Sequence, residues 1–238
     1  MLPIERQNIS FLEMTSADEL AKWLLRGESL SPVWYNDDES GVVRLAGTYR
    51  NLNENTQKKV SLALAKSVSE WNPLVHKTSA LADVAMIAAL IQNEAVVPGL
   101  IKIVEEKFVV QGKTTEDDQD FAIIVSSIVG SATPEAREAV TRWYEDDAFD
   151  WKFRGMFCIG LISYNPLDAK KILPRLLTTM DKHPDYFIPG YLASEMATYT
   201  SPDELEKVLR EFENESAKVL LAQMPVVREI FEESKRVD

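Results

Sequence analysis

Apolar residues recur along this chain with the spacing of α-helices. Val60, Leu64 and Val68 lie four residues apart, which predicts a helix over about residues 55–71 with one apolar face. Residues 79–93 contain the stretch LADVAMIAAL and are apolar on nearly every side, so we expect a central helix there. These two helices form the first predicted hairpin.

Prolines mark further helix starts at nearly even intervals. Pro98, Pro134, Pro166 and Pro202 are separated by 36, 32 and 36 residues. The last three follow a threonine, an asparagine and a serine, whose side chains can accept a hydrogen bond from a free amide of the first helical turn. Proline suits the first helical position because no N–H is needed there. A helix start that recurs every 20 to 50 residues or so is typical of stacked helical units.

From the first of these prolines onward, each unit combines a first helix, a short acidic turn and a more apolar second helix. The second helices of the third and fourth units match when offset by 35 residues: Asp-Trp at 150–151 aligns with Asp-Tyr at 185–186, and Gly155 aligns with Gly190. The aspartates are placed to cap helices, the aromatic residues to pack against a neighbouring unit, and the glycines to allow close helix contact. The predicted helices are 134–145 and 151–163, then 166–180 and 186–198, then one from Pro202 towards residue 237 with a break or kink near Pro225.

The N-terminal part does not follow this pattern. Ser16 with Glu19 forms a capping-box sequence that opens a helix. Residues 33–45 place two β-branched and aromatic runs around a turn-rich loop, which fits a small β-hairpin or two short helical pieces. We therefore predict an N-terminal cap segment over residues 1–54 and an α-helical repeat domain over residues 55–238, in one continuous domain.

Paired helices with a period in the thirties and proline-marked starts resemble the HEAT and armadillo-like α-solenoids. Pro174, inside the first helix of the fourth unit, resembles the proline that kinks the first helix of many HEAT repeats, although Ala139 occupies the equivalent place in the third unit. The resemblance covers about residues 55–238. It implies an all-α fold, an α-α superhelix of about five helical hairpins, and a role as a binding scaffold. It indicates no subfamily and no catalytic residue.

Charge and composition narrow the range of partners. The 238 residues carry a formal net charge of −12, and only nine are glycine, which favours helices over an all-β fold. No cluster of Lys and Arg forms a phosphate-binding stripe, so we expect no nucleic-acid partner and no anionic membrane surface. A basic protein partner is compatible with the charge. The sequence shows no secretory signal and no apolar stretch of membrane-spanning length, which favours a cytoplasmic location.

Residue types that carry catalysis are scarce. His183 lies between carboxylates in residues 181–185, which is compatible with a metal site or an acid–base group, but a solvated turn beside a helix cap at Asp185 explains the pattern better. Cys158, the single cysteine, lies in an apolar helix, where we expect it to be buried and structural. The acidic runs lack the ligand spacing of a calcium loop. We therefore predict a non-catalytic protein without a metal or other cofactor.

The solenoid resemblance implies a groove lined by the second helices, where a protein or peptide partner would bind. If Asp185 caps the second helix of the fourth unit, the stripe facing away from the first helices contains Tyr191, Glu195 and Thr198. Equivalent positions upstream complete the candidate binding set, which is Ser126, Lys152, Met156, Tyr191, Glu195 and Thr198. The alternative is that Met156 and Tyr191 are core residues.

Two other functions are compatible with the same sequence. A small acidic inhibitor of the immunity-protein type, which neutralises a basic partner, fits the length, the charge and the lack of catalytic motifs. A hydrolase with a carboxylate-based site, assembled from residues far apart in the chain, fits the number of acidic side chains.

Overall fold

The computed structural model describes residues 12–26, 48–109, 118–147 and 149–234. Every regular element in these ranges is a helix, which confirms the all-α prediction. The chain forms two compact units, Met1–Ala136 and Arg137–Asp238, which are described separately. The segment 33–45, interpreted as a hairpin or two helical pieces, lies outside the described residues. The boundary proposed between residues 54 and 55 stays a prediction.

The first unit stacks two helical hairpins. Its main helices are α1 (Ala17–Leu25), α2 (Glu54–Glu70), α3 (Thr78–Leu90), α4 (Val97–Ile103) and α5 (Asp118–Ser131), with a π-helical turn at Val104–Val109 after α4. α2 packs against α3, and α4 packs against α5. Between the hairpins, α2 contacts α4 and α3 contacts α5, so like helices are neighbours. α1 covers α2 and opens with the predicted capping box, in which Ser16 and Glu19 bond reciprocally.

The patterning of α2 and α3 explains this arrangement. Val60, Leu64 and Val68 are buried along a single face of α2, as their spacing predicts. α3 is buried on several sides because α1, α2 and α5 all pack against it. The expectation of a central helix at residues 79–93 is therefore confirmed.

The second unit is a row of helices in which second helices contact one another. Its elements are α6 (Pro134–Glu145, whose first three residues belong to the first unit), a 3-10 turn (Trp151–Phe153), α7 (Arg154–Tyr164), a 3-10 turn (Pro166–Asp168), α8 (Ala169–Lys182), α9 (Pro189–Thr200), α10 (Pro202–Leu209) and α11 (Glu215–Ser234). α7 packs against α9, and α9 packs against α11. Among the first helices, α8 packs against α10, and the hydroxyl of Tyr144 in α6 donates to the Ile172 carbonyl of α8 at 2.7 Å.

A helix follows each of the four marker prolines, but their caps differ. Thr133 accepts a hydrogen bond from the amide three residues later at 3.2 Å, and Ser201 does the same at 3.4 Å, as the pattern predicts. The side chain of Asn165 caps no amide and donates to Asp168 instead, and α8 begins after a 3-10 turn. Pro98 is the second residue of α4.

The second helix of the fourth unit begins later than predicted. α9 begins at Pro189, and the residue before it, Ile188, has extended backbone. The first turn of α9 has no side-chain cap. Asp185 is exposed and does not cap α9, so that assignment is wrong. The physical reason is Pro189, because its ring disfavours the helical region for the residue before it.

The chain also breaks at a different place near its C-terminal end. The break predicted near Pro225 is absent, since α11 continues through this residue, and the chain leaves the helix at residues 210–214 instead. Pro225 is exposed, so water can hydrate the carbonyl that its missing N–H leaves unbonded.

A carboxylate from another helix caps α11. Oδ1 of Asp181, at the end of α8, accepts hydrogen bonds from the Ser216 amide at 2.9 Å and the Ser216 hydroxyl at 2.5 Å. The Ser216 hydroxyl and then its amide hold the pKa of Asp181 below its ordinary value. Asp181, and not Asp185, therefore acts as a helix cap, and its hydrogen bonds connect α8 to α11.

Both matched glycines lie at close helix contacts, as predicted. A Cβ added at Gly155 would stand 3.1 Å from Leu192 Cδ2 and 3.4 Å from Phe187 Cε1, which belong to α9 and the loop before it. A Cβ added at Gly190 would stand 3.3 Å from Gln223 Oε1 of α11. In both α7 and α9, the matched glycine therefore leaves space for a side chain of the following hairpin.

We predict that Asp181→Ala lowers the free energy of unfolding by about 1 kcal/mol at neutral pH, as expected for loss of a helix cap. Because the folded-state pKa is depressed, this contribution is complete above the unfolded-state pKa of about 3.9. It disappears as the pH falls through the lower folded-state value. Urea unfolding at about pH 7 and about pH 2.5 measures the difference.

Asp185→Ala is the matched control, because this exposed carboxylate four residues away makes no hydrogen bond or ion pair with any described residue. It should leave stability unchanged at both pH values. Equal effects of the two substitutions would show that Asp181 does not act as a cap.

The two glycines should respond differently to alanine. Gly155→Ala should be less stable than Gly190→Ala by about 1 kcal/mol or more, because the new methyl group meets the buried Leu192 and Phe187 side chains. At Gly190 the neighbour is the end of a flexible glutamine, which can move aside. Equal unfolding free energies for the two variants would contradict the close contact at Gly155.

Candidate binding surface

The loops before α7 and α9 meet through their aromatic rings. Asp150 caps the turn before α7 by accepting the Lys152 amide at 3.0 Å, and Trp151 follows it. The indole of Trp151 stacks on the imidazole of His183 with 3.6 Å between ring centroids and 4° between planes. The edge contact between Trp151 and Tyr186 has a centroid distance of 4.8 Å. The predicted packing of this aromatic residue against the next unit is therefore confirmed.

His183 is not the solvated turn residue that the sequence suggested. It is partly buried, because Trp151 covers one face of its ring. Local sequence offered no sign of this contact, since the two residues lie more than thirty positions apart. The stack joins the loop of one hairpin to the loop of the next.

Large apolar side chains next to this stack are exposed. Tyr186 is 50% exposed, Ile188 is 70% exposed and Tyr191 is 58% exposed. Phe187, between the first two, is 9% exposed and lies against Gly155. We call Trp151, His183, Tyr186, Ile188 and Tyr191 the aromatic patch. Ile188 directly precedes α9 and Tyr191 lies in its first turn.

A stripe along α9 extends the aromatic patch. Tyr191, Glu195 and Tyr199 are spaced four residues apart on one face. Burial, followed by the nearby Glu195 and Tyr199, raises the pKa of the Tyr191 phenol. Thr198 is also exposed, and its hydroxyl donates to the Ser194 carbonyl at 3.1 Å.

The structure brings some of the predicted binding residues together. Tyr191, Glu195 and Thr198 share α9, and none of them is fully buried. Met156 on α7 and Lys152 in the turn before it are partly exposed on the helix that packs against α9. Ser126 belongs to the first unit, where it is exposed on α5 and donates to the Ile123 carbonyl at 2.9 Å.

Three exposed residues of this surface were not among the predicted set. Tyr186 and Ile188 were assigned to the first turn of a helix predicted over residues 186–198, which in fact begins at Pro189. The Ile188-Pro189 pair was the available signal, since a residue before proline favours extended backbone. Tyr199 follows the stripe by simple four-residue spacing from Glu195.

Cys158 and His76 lie outside the aromatic patch. Cys158 is fully buried, and burial raises the pKa of its thiol to about 12. Nδ1 of His76 accepts a hydrogen bond from the Asn72 amide at 3.0 Å. Within the described ranges, no three His, Cys, Asp or Glu side chains are placed to hold a metal ion. In the same ranges, no helix combines the length and the apolar character needed to cross a bilayer.

A scan against protein-family models and searches of curated proteins and of solved structures each find no match. What the aromatic patch can do therefore follows from its chemistry. It offers half-exposed rings and an aliphatic side chain beside the carboxylate of Glu195. Such groups bind another molecule by burial and stacking.

The thiol of Cys158 should react only when the protein unfolds. It is the only cysteine, it is buried, and its raised pKa keeps it protonated at neutral pH. Labelling with iodoacetamide at about pH 8, followed by intact mass, should be at least about a hundredfold slower than in denaturant. Rapid labelling of the folded protein would contradict the buried position.

Proposed function

We propose that this protein is a non-catalytic, HEAT-like scaffold that binds a protein or peptide segment on the second helices of its second unit. The observation that carries the proposal is the aromatic patch, in which Tyr186, Ile188 and Tyr191 expose half or more of their surface beside a stacked Trp–His pair. Neighbouring exposed apolar groups on a rigid element mark interaction sites more often than scattered ones do.

The packing of like helices supports the solenoid part of the proposal. In the first unit α2 contacts α4 and α3 contacts α5, while in the second α7, α9 and α11 form a row. Units that contact only their neighbours leave an extended face available. Gly155 and Gly190, at matching positions in successive hairpins, each lie close to a side chain of the following hairpin.

The proposed occupant is a segment with a planar or apolar anchor flanked by basic residues. Aromatic and arginine side chains are favoured anchors because they bury large area in a defined orientation. The basic flanks follow from the acidic chain, whose net charge is −12, and from Glu195 and Asp185 beside the patch. A cytoplasmic location, where thiols stay reduced, suits the free thiol of Cys158 and stays a prediction.

Selection from a phage-displayed random peptide library on the purified chain tests the proposal. We expect enriched peptides to carry an aromatic residue or Arg next to other basic residues. Tyr191→Asp should weaken their binding at least about tenfold, because a charge replaces an apolar contact within the patch. The melting temperature should stay within a few degrees, since Tyr191 is exposed.

Leu62→Asp is the matched control. Leu62 is 61% exposed on α2 in the first unit, so the substitution places the same charge at a similarly exposed apolar position outside the proposed surface. Peptides whose binding weakens equally in Tyr191→Asp and Leu62→Asp, or weakens in neither variant, would contradict the proposed surface. Wild-type binding that falls steeply between about 50 mM and about 500 mM salt, and that Tyr191→Asp leaves unchanged, would favour the acidic-inhibitor alternative.

A further inference from the structure

A cavity of about 280 Å³ lies in the first unit among α3, α4 and α5. Small residues leave the space, namely Ala85, Ala88 and Ala89 of α3 and Gly130 of α5. A Cβ added at Gly130 would meet no side chain within 4 Å. The volume is near the lower end of small-molecule pockets, which span about 300–1,000 Å³.

The hydroxyl groups in this cavity are hydrogen-bond acceptors. Ser127 donates its proton to the Ile123 carbonyl at 2.8 Å, and Ser131 donates to the Ile128 carbonyl at 2.7 Å. A hydroxyl has a single proton, so both oxygens have only lone pairs left to offer. Ser127 is nine-tenths buried and lines the cavity.

The charge around the cavity is negative. Glu94 lines it and forms no ion pair with any residue that the structure describes, and no lining residue is Lys, Arg or His. The last turns of α3 and α5 also line it, and helix C-termini carry partial negative charge. Only Gln92 and Asn93 bring side-chain N–H groups to the lining, and Asn93 donates to the Ser61 carbonyl at 3.1 Å.

We infer that this cavity binds a primary ammonium group on an aliphatic stem. An ammonium group has three N–H donors and no acceptor, which matches the two serine oxygens and the Glu94 carboxylate. The apolar stem would lie against the alanines of α3 and against Val96, Val97 and Leu100. A small free amine and a lysine side chain of a partner share this chemistry. The inference is independent of the proposed function, because the cavity belongs to the first unit.

Titration of the full chain with n-butylammonium, followed by two-dimensional amide NMR, tests the inference. We expect saturable shifts of the Ser127 and Gly130 amides with a dissociation constant of about 1 mM or tighter. n-Butanol, which keeps the stem and loses the charge, should bind at least about tenfold more weakly. Equal binding of n-butylammonium and n-butanol would overturn the inference. It would also be overturned if neither n-butylammonium nor the lysine derivative described below gave saturable shifts.

Nα-acetyl-lysine methylamide distinguishes the two sources of the ammonium group. If it binds at least as tightly as n-butylammonium, the cavity fits a lysine side chain of a partner. If n-butylammonium alone binds, the cavity fits a free amine. Both results support an ammonium site, because each requires recognition of the charged group.

Substitutions locate the binding. Glu94→Gln should weaken n-butylammonium about tenfold, while Glu54→Gln, which removes an exposed charge outside the lining, should not. Gly130→Leu should abolish binding by filling the space, and Gly130→Ala should fold at least as stably as the parent chain. Unchanged affinity for n-butylammonium in both Glu94→Gln and Gly130→Leu would contradict the site. If the leucine variant does not fold, unchanged affinity in Glu94→Gln alone is sufficient to contradict it.

Discussion

The close approach of the loop before α9 to Gly155 determines the shape of the proposed binding surface. A glycine within a helix costs about 1 kcal/mol relative to alanine, so its presence here needs a compensating contact. Leu192 and Phe187 make that contact, because a Cβ added at Gly155 would stand 3.1 Å from Leu192 and 3.4 Å from the nearly buried ring of Phe187. With Phe187 held inward, its neighbours Tyr186 and Ile188 project outward, and both are at least half exposed. The loop before α9 thus contributes to the packing of the row through Phe187 and to the aromatic patch through Tyr186 and Ile188.

Rules that act within a few residues allowed much of this fold to be predicted. Spacing of apolar residues located α2 and α3, and polar residues before proline located α6 and α10. Trp151 contacts the next hairpin as predicted, whereas Asp150 caps the 3-10 turn before α7 instead of the helix itself. The apolar surroundings of Cys158 correctly indicated burial. In each case the free energy that decides the structure lies in a single turn or a single helix face.

The features that sequence reasoning missed depend on residues distant in the chain. Asp181 caps a helix that begins more than thirty residues later, so no local motif marks it. The same is true of His183, whose partner Trp151 belongs to the preceding hairpin. The start of α9 was predicted wrongly for a different reason. Pro189 is a local signal for the helix start, but the expectation that Asp185 caps the helix placed the start too early. On the candidate surface, the position of Tyr191 followed from periodicity. The exposure of Tyr186 and Ile188 could be predicted only with the correct start of α9.

The repeated Asp-aromatic pair also explains what the aromatic patch is suited to bind. In its first copy, the ring of Trp151 is covered by the flat imidazole of His183 from the next hairpin. In its second copy Tyr186 keeps half of its surface exposed, and the sequence 35 residues further on is Leu220-Leu221, which is not a third copy. Tyr186 therefore combines ring contacts with Trp151 and Phe187 with a half-exposed surface. For the proposed occupant, arginine combines a planar group that packs on aromatic rings with the charge that an acidic protein attracts.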